Sequence, residues 1–256
     1  MRFWKWHALG NSYLLIERNE LGRPLDAEIV GRLCDVRYGI GSDGVLEVIA
    51  AGRSEAEIVI WNPDGSVAEF SGNGSRIAAA WLARRDGVER VTVSTGGRRY
   101  PATARSEGMI AMAVGDVEVG EIETVQVGDE RIELTAVSVG NPHAVIRAEP
   151  DRETLRRLGP QLEVSARFPE RTNVQLVRVD GPHELTAVVW ERGAGETRAS
   201  GSSAVAVASA AVANGWCESP VTVRMPGGEL RVELDEENRL TLVGPAEEIC
   251  SGEVLV

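Results

Sequence analysis

The 256 residues carry 27 basic against 39 acidic side chains, a formal charge of −12, and are 43% hydrophobic and 26% charged. That balance suits an ordinary globular protein with one large core or two smaller ones. It argues against nucleic acid or an anionic membrane surface as partner, because the counterion-release contribution has the wrong sign, although a local field can still receive a small anion.

Arg2 and Lys5 open the chain, but the apolar run after them, Tyr13–Ile16, is too short for a secretory h-region, so a cytoplasmic protein is expected. The first helical periodicity covers Ala27–Asp35, and strand-like alternation follows in Glu57–Trp61. A helix over Gly74–Arg85 then leads to strands at Arg90–Thr95 and Ile110–Val119. Further along come a helix at Arg152–Leu158, a strand at Leu185–Trp190, a helix at Ala204–Ala213, and strands at Val221–Met225 and Arg239–Val243. The uncharged stretch from Ala199 to Cys217 is broken by Ser, Gly and Asn at both ends, which suits a buried core helix and not a membrane span. Cys34, Cys217 and Cys250 are odd in number and widely spaced, as packed thiols in a reducing compartment would be. With His7, His143 and His183 scattered, no metal cluster is expected.

The elements repeat. GNSYLLI at Gly10–Ile16 matches GNPHAVI at Gly140–Ile146, an offset of 130. RYGIGSDGVL from Arg37 corresponds to RFPERTNVQL from Arg167, again 130 apart, while Trp61 and Ser71 correspond to Trp190 and Ser200 at 129. Ordered matches at half the chain length predict a duplicated α+β architecture, with halves 1–120 and 121–256. Each half is mostly short strands around one Ala-rich helix. A helix apolar nearly all round should be wrapped by its sheet, and a cleft between two such halves is the expected place for a ligand.

SGNG at Ser71–Gly74 and SGSS at Ser200–Ser203 stand directly ahead of those two central helices. A helix start presents unpaired N–H groups and a partial positive charge that favour a carboxylate. Gly72, Gly74 and Gly201 let the backbone come close to a ligand. The plainer alternative is that Ser71 and Ser200 are N-caps worth about 1 kcal/mol each.

Six segments together make the chain recognisable: KWHALGNSYLLIE (Lys5–Glu17), YGIGSDGVL (Tyr38–Leu46), NPDGSVAEFSGNGSR (Asn62–Arg76), SVGNPHAVI (Ser138–Ile146), FPERTNVQLV (Phe168–Val177) and WERGAGETRASGSSA (Trp190–Ala204). With these motifs the sequence resembles the diaminopimelate epimerases, within the wider superfamily of cofactor-independent amino-acid racemases. The resemblance implies two similar halves, each with sheet around a central helix, and no cofactor or metal. It implies a small amino-acid substrate, a homodimer, and one acid/base cysteine per half for proton transfer at Cα, by default converting LL- to meso-diaminopimelate. Those cysteines fall on Ser71 and Ser200, where this chain has serine. By the same resemblance His143 and Glu191 support Ser71 and Ser200. Asn11, Asn62, Asn141, Asn173 and Arg192 hold the distal end of the substrate, while Gly72, Asn73, Gly201 and Ser202 hold the α-carboxylate through backbone N–H groups.

The serines touch the chemistry itself. A thiol near 8.5 can be lowered into a useful base, whereas a hydroxyl acts as one only with a strong neighbouring base. Three explanations stand: replacement of both cysteines to trap a complex, natural divergence, or a non-catalytic amino-acid binder. Ile77, Val205, Ser202 and Ser203 also depart from the family, and a change aimed at silencing catalysis gives no reason to alter them, which favours natural divergence. A dehydratase of the same superfamily is the competing enzyme class, since one base suffices when a hydroxyl leaves.

Overall fold

The computed structural model describes residues 1–235 and 239–255, and the chain divides into two units, Met1–Ala113 with Gly244–Val256, and Val114–Val243. The second boundary differs from the expected halves. The last strand pairs along the first, Arg2 opposite Glu253, and Val254 N–H donates to Met1 O at 2.9 Å, so the C-terminus belongs with the N-terminal unit.

In the first unit the order is β1 (Arg2–Ala8), β2 (Asn11–Glu17), α1 (Ala27–Cys34), β3 (Val45–Ala51), β4 (Glu55–Trp61), β5 (Val67–Ala68), α2 (Gly72–Asp86), β6 (Arg90–Thr95), β7 (Arg98–Ala104) and β8 (Met109–Gly115). The second unit runs β9 (Glu118–Val127), β10 (Glu130–Ser138), β11 (Pro142–Arg147), α3 (Arg152–Glu163), β12 (Asn173–Gly181), β13 (Glu184–Glu191), β14 (Gly195–Thr197), α4 (Gly201–Ala213), β15 (Val221–Met225), β16 (Gly228–Leu234) and β17 (Leu240–Pro245). The closing strand β18 (Glu247–Glu253) returns to β1.

Pairing repeats in the same pattern. β2 and β3 are parallel, as are β11 and β12; β4 runs parallel to β6 and β13 to β15; β7 lies antiparallel to β6 and β16 to β15. The register refines the repeat. Leu14 and Ala144 pair with Val45 and Val174, and these pair onward with Trp61 and Trp190. The offset is therefore 130 at β2 and 129 from β3 onward, one residue less than the match from Arg37 supposed.

The helices form where local chemistry directs them. Asp26 and Asp151 cap α1 and α3 by accepting the Ile29 and Thr154 N–H groups, and Gly87, at φ 65°, ends α2 in the left-handed conformation. α2 is buried from Gly72 to Ala83 and α4 from Ser203 to Ala211, as apolar all-round helices require. Their Ala-rich surfaces let the strands approach closely; Ile77, Trp81 and Leu82 of α2 pack into one core with Leu46, Ile58 and Ile60.

Two elements differ from the sequence expectation. Ile110–Val119 is two strands, because Gly115 adopts φ 84° and ends β8. α3 continues through Pro160, since Leu155, Leu158 and Leu162 bury one face along its whole length. Cys34 and Cys217 are buried thiols, but Cys250 is exposed on β18 and not packed. Among the described residues no helix is long and apolar enough to cross a membrane.

Candidate active site

In the first unit the strand-to-helix turn places Ser71 as the N-cap of α2, with extended φ −139° and its Oγ accepting the Gly74 N–H at 3.0 Å. Gly74 is required for closeness: a Cβ there would lie 3.0 Å from Leu46 Cδ2 and 3.3 Å from Ser71 Oγ. Tyr13 of β2 brings its hydroxyl to 3.2 Å from Ser71 Oγ. Below the turn lies Arg76, fully buried, donating to Gly72 O at 3.0 Å and to Asn73 Oδ1 at 2.7 Å. Burial lowers its pKa to about 10, which still leaves a cation at neutral pH. Asn73 in turn donates to Asn11 Oδ1 at 3.2 Å. A helix N-terminus and a desolvated guanidinium thus reinforce each other where the backbone of Gly72 and Asn73 begins α2. Asn62 holds its own turn, donating to Ser66 Oγ at 2.9 Å.

The second unit builds the same turn from different neighbours. Ser200 caps α4 with φ −141°; its Oγ accepts the Ser203 N–H at 3.5 Å and lies 3.4 Å from Ser202 Oγ. Burial raises the Glu191 carboxyl above the usual range, and the approaching hydroxyls of Thr197 and Ser200 offset only part of the shift. Those approaches do not close into full hydrogen bonds, and Thr197 Oγ1 is buried without a partner. His143 is fully buried, with Nε2 3.0 Å from Asn141 Oδ1 and Nδ1 3.0 Å from Gln175 Nε2. Burial first, and then the Arg192 charge, drive its pKa down to about 3. Both ring nitrogens of the neutral imidazole are thus engaged, which links His143 to Asn141 and Gln175. Gln175 extends the chain to Ser203 Oγ at 3.0 Å.

Asn173 donates to Pro142 O at 2.9 Å and accepts the Arg192 N–H at 2.9 Å, tying β12 to the β13–β14 turn. The Arg192 side chain is exposed and donates to Glu170 O at 2.9 Å. That turn has a second anchor. Glu163, at the end of α3, accepts from Trp190 Nε1 at 2.7 Å, from Gly193 N at 2.8 Å, and from Arg171. Among the described residues no group of three or more His, Cys, Asp or Glu is arranged to hold a metal.

Comparison with known proteins decides the lineage. The family model for diaminopimelate epimerase matches residues 3–120 and 135–249. The chain belongs to the diaminopimelate epimerase family. The diaminopimelate epimerase of Desulfitobacterium hafniense is 36% identical over 282 residues, covering 100% of this chain and 98% of its own. That of Pseudomonas aeruginosa strain LESB58 is 35% identical over 272 residues, with 99% of each covered. Membership places the chain among enzymes of the isomerase class. Solved structures share the fold at low identity. A hydroxyproline epimerase from Agrobacterium vitis superposes with a TM-score of 0.74 at 15% identity, covering 98% of this chain and 91% of that one. A phenazine biosynthesis protein of the PhzF family from Bacillus anthracis gives 0.73 at 14%, covering 100% and 99%.

Within this family member, then, the structure gathers Asn11, Ser71, Gly72 and Asn73 around one helix start. It gathers Asn141, His143, Asn173, Glu191, Arg192, Ser200, Gly201 and Ser202 around the equivalent region of the second unit. Asn62 stays in its own turn at the end of β4. Sequence reading assigned no role to Arg76, Gln175 or Glu163. Arg76 stood inside the SGNGSR motif, a charged residue at a position where the helix pattern demanded burial, and that conflict was the available signal. Glu163 carried none.

The Tyr13 ring owes its place to Gly44, where a Cβ would lie 2.6 Å from Tyr13 Cε1 and 2.5 Å from the Trp61 carbonyl oxygen. Gly44→Ala is expected to cost about 1–3 kcal/mol by overpacking and to push the Tyr13 hydroxyl away from Ser71. Thermal unfolding should show a lower Tm. An unchanged Tm would mean that β3 yields without strain.

Proposed function

We propose that this protein inverts the Cα centre of diaminopimelate, LL to meso, by cofactor-independent proton transfer, with the Ser71 turn and the Ser200 turn each supplying one proton-transfer group. The observation that carries the reading is the matched pair of turns: Ser71 and Ser200 cap equivalent helices with φ −139° and −141°. A carbanion at Cα needs electrostatic stabilisation of the carboxylate it delocalises into, and preorganised N–H groups supply it without reorganisation. Gly72, Asn73, Gly201 and Ser202 fit that task. Asn11, Asn62, Asn141, Asn173 and Arg192 fit the distal amine and carboxylate, the arginine offering a bidentate fork. Glu191, made more basic by burial, is the proton acceptor beside Ser200, and His143 enters as the group that orients Asn141. The reading includes a cytoplasmic enzyme acting as a homodimer, with neither nucleic acid nor membrane as partner. A β-elimination of water from a hydroxy amino acid is the second reading, favoured by one feature: a carboxylate, Glu191, approaches Ser200, whereas the described partners of Ser71 Oγ are an amide and a phenol.

The test is Cα deuterium incorporation by NMR, with LL- and meso-diaminopimelate in heavy water, for this sequence beside Ser71→Cys/Ser200→Cys. Exchange by both proteins is the expected result. Exchange by the cysteine version alone would make this sequence a silenced epimerase scaffold. No exchange by either, with keto product from a hydroxy amino acid, would replace epimerisation by the elimination.

A further inference from the structure

The proposed proton transfer needs a group in each unit, and the first unit has a serine where the family resemblance places a thiol. Within that unit Ser71 Oγ has two polar neighbours, the Gly74 N–H at 3.0 Å and the Tyr13 hydroxyl at 3.2 Å. The amide can only donate. The phenol can donate or accept, and its ordinary pKa near 10 makes it far more acidic than an aliphatic hydroxyl. Tyr13 is also the counterpart of His143 at the repeat offset of 130, so both units present a ring-bearing polar group from the same strand position.

We infer that Tyr13 is the proton reservoir for Ser71, and that the Tyr13–Ser71 hydroxyl pair does in the first unit what a single thiol would do. The inference rests on the proposed proton transfer at Cα. On the protonating stroke the carbanion's electron pair takes the Ser71 hydroxyl proton, forming Cα–H as the Ser71 O–H bond breaks. The Tyr13 O–H bond breaks as its proton restores the Ser71 hydroxyl, and the negative charge ends on Tyr13 Oη. The deprotonating stroke runs the same transfers backwards, the phenolate drawing the Ser71 proton as Ser71 Oγ receives the one from Cα.

Two features of the structure favour charge at this pair, and a third fixes its geometry. The Ser71 oxygen stands at the N-terminus of α2, a 15-residue helix. Arg76, fully buried one turn in, adds a cation whose bonds among the described residues are to Gly72 O and Asn73 Oδ1 and to no carboxylate. The Tyr13 ring is buried against the backbone of Gly44, where an added Cβ would stand only 2.6 Å from Tyr13 Cε1, and this close packing fixes the position of its hydroxyl. Tyr13 acts through Ser71, and its part is distinct from that of a group that touches the substrate. A hydroxyl pair spends one more transfer per stroke than a thiol, and two fixed hydroxyls at hydrogen-bond distance keep that transfer short.

A mutant cycle read by Cα–H exchange of diaminopimelate in heavy water tests it. Tyr13→Phe keeps the ring and removes the hydroxyl. In the background of this sequence it should slow exchange by about 100-fold or more, the scale of one acid/base group. In a Ser71→Cys background the thiol needs no reservoir, and Tyr13→Phe should change the rate by less than about threefold. Equal losses in both backgrounds, or a loss accompanied by a large fall in Tm, would make Tyr13 a packing residue and overturn the relay. Silence of this sequence beside exchange by Ser71→Cys/Ser200→Cys would overturn the relay while keeping the epimerase reading. Silence of both would overturn both.

Discussion

Replacing Glu191 by Gln is expected to slow Cα–H exchange by about 10²–10⁴-fold, the contribution of one positioned acid/base group. The same change should raise the thermal stability of the protein at neutral pH. Both effects have one cause. Burial at the end of β13 raises the carboxyl, and the hydroxyls of Thr197 and Ser200 offset only part of that shift. A carboxyl whose folded pKa is raised binds its proton more tightly folded than unfolded, so its ionised form destabilises the native state. That cost is full above the raised pKa. It fades as pH falls through the raised value and below the ordinary 4.5. The stability advantage of Glu191→Gln should therefore shrink on acidification across that window, which unfolding at several pH values can follow beside the exchange assay. A variant that loses activity and stability together at neutral pH would mark Glu191 as structural.

Glu163→Ala should be the most destabilising single change near the second turn. The residue is 5% exposed, and its carboxylate receives Trp190 Nε1, Gly193 N and Arg171. Burial by itself would raise this carboxyl, but the Trp190, Gly193 and Arg171 donors outweigh it and hold the carboxyl below the usual range. Arg171 is half exposed and recovers water when Glu163 is lost. The Trp190 and Gly193 donors recover less, and losing their acceptor costs about 2–3 kcal/mol together. For a chain of this size that is roughly 4–12 °C in Tm. Because a depressed carboxyl contributes stability above its unfolded pKa and loses it as pH falls through the folded one, the gap between parent and variant should close in acid. Diaminopimelate affinity, measured by calorimetry, should fall as well, since Gly193 fixes the turn that carries Glu191 and Arg192. A Tm within a degree of the parent would show that Trp190 and Gly193 find other acceptors.

The two carboxylates under Trp61 and Trp190 explain why part of the site escaped sequence reading. Both indoles donate to a buried glutamate, Trp61 to Glu47 at 3.0 Å and Trp190 to Glu163 at 2.7 Å. Glu47 comes from β3 and Glu163 from the end of α3, so the duplication kept the bond and changed its source. A repeat search aligns residues, and here the equivalent residues are not the ones doing equivalent work. The one-residue change of offset between β2 and β3 had the same origin. It falls in the segments carrying α1 and α3, where loop and helix lengths can differ while strand pairing cannot slip without turning a buried face outward.

What the amino-acid order determined by itself was local or periodic. The serine turns, the helices they open and the alternation of β4, β6 and β15 all depend on neighbours within about four residues, and duplication doubled each signal. The Asn11, Asn141 and Asn173 positions came with the family motifs. Tertiary structure decided the rest. Tyr13 meets Ser71 across 58 residues, Glu163 meets Trp190 across 27, and β18 crosses nearly the whole chain to pair with β1. Such contacts leave no period in the sequence, because they arise only when the sheets close around α2 and α4. Whether a buried Arg76 stays charged, a half-buried Glu191 turns more basic or a buried His143 stays neutral is set by that enclosure, through the water it removes and the partners it brings.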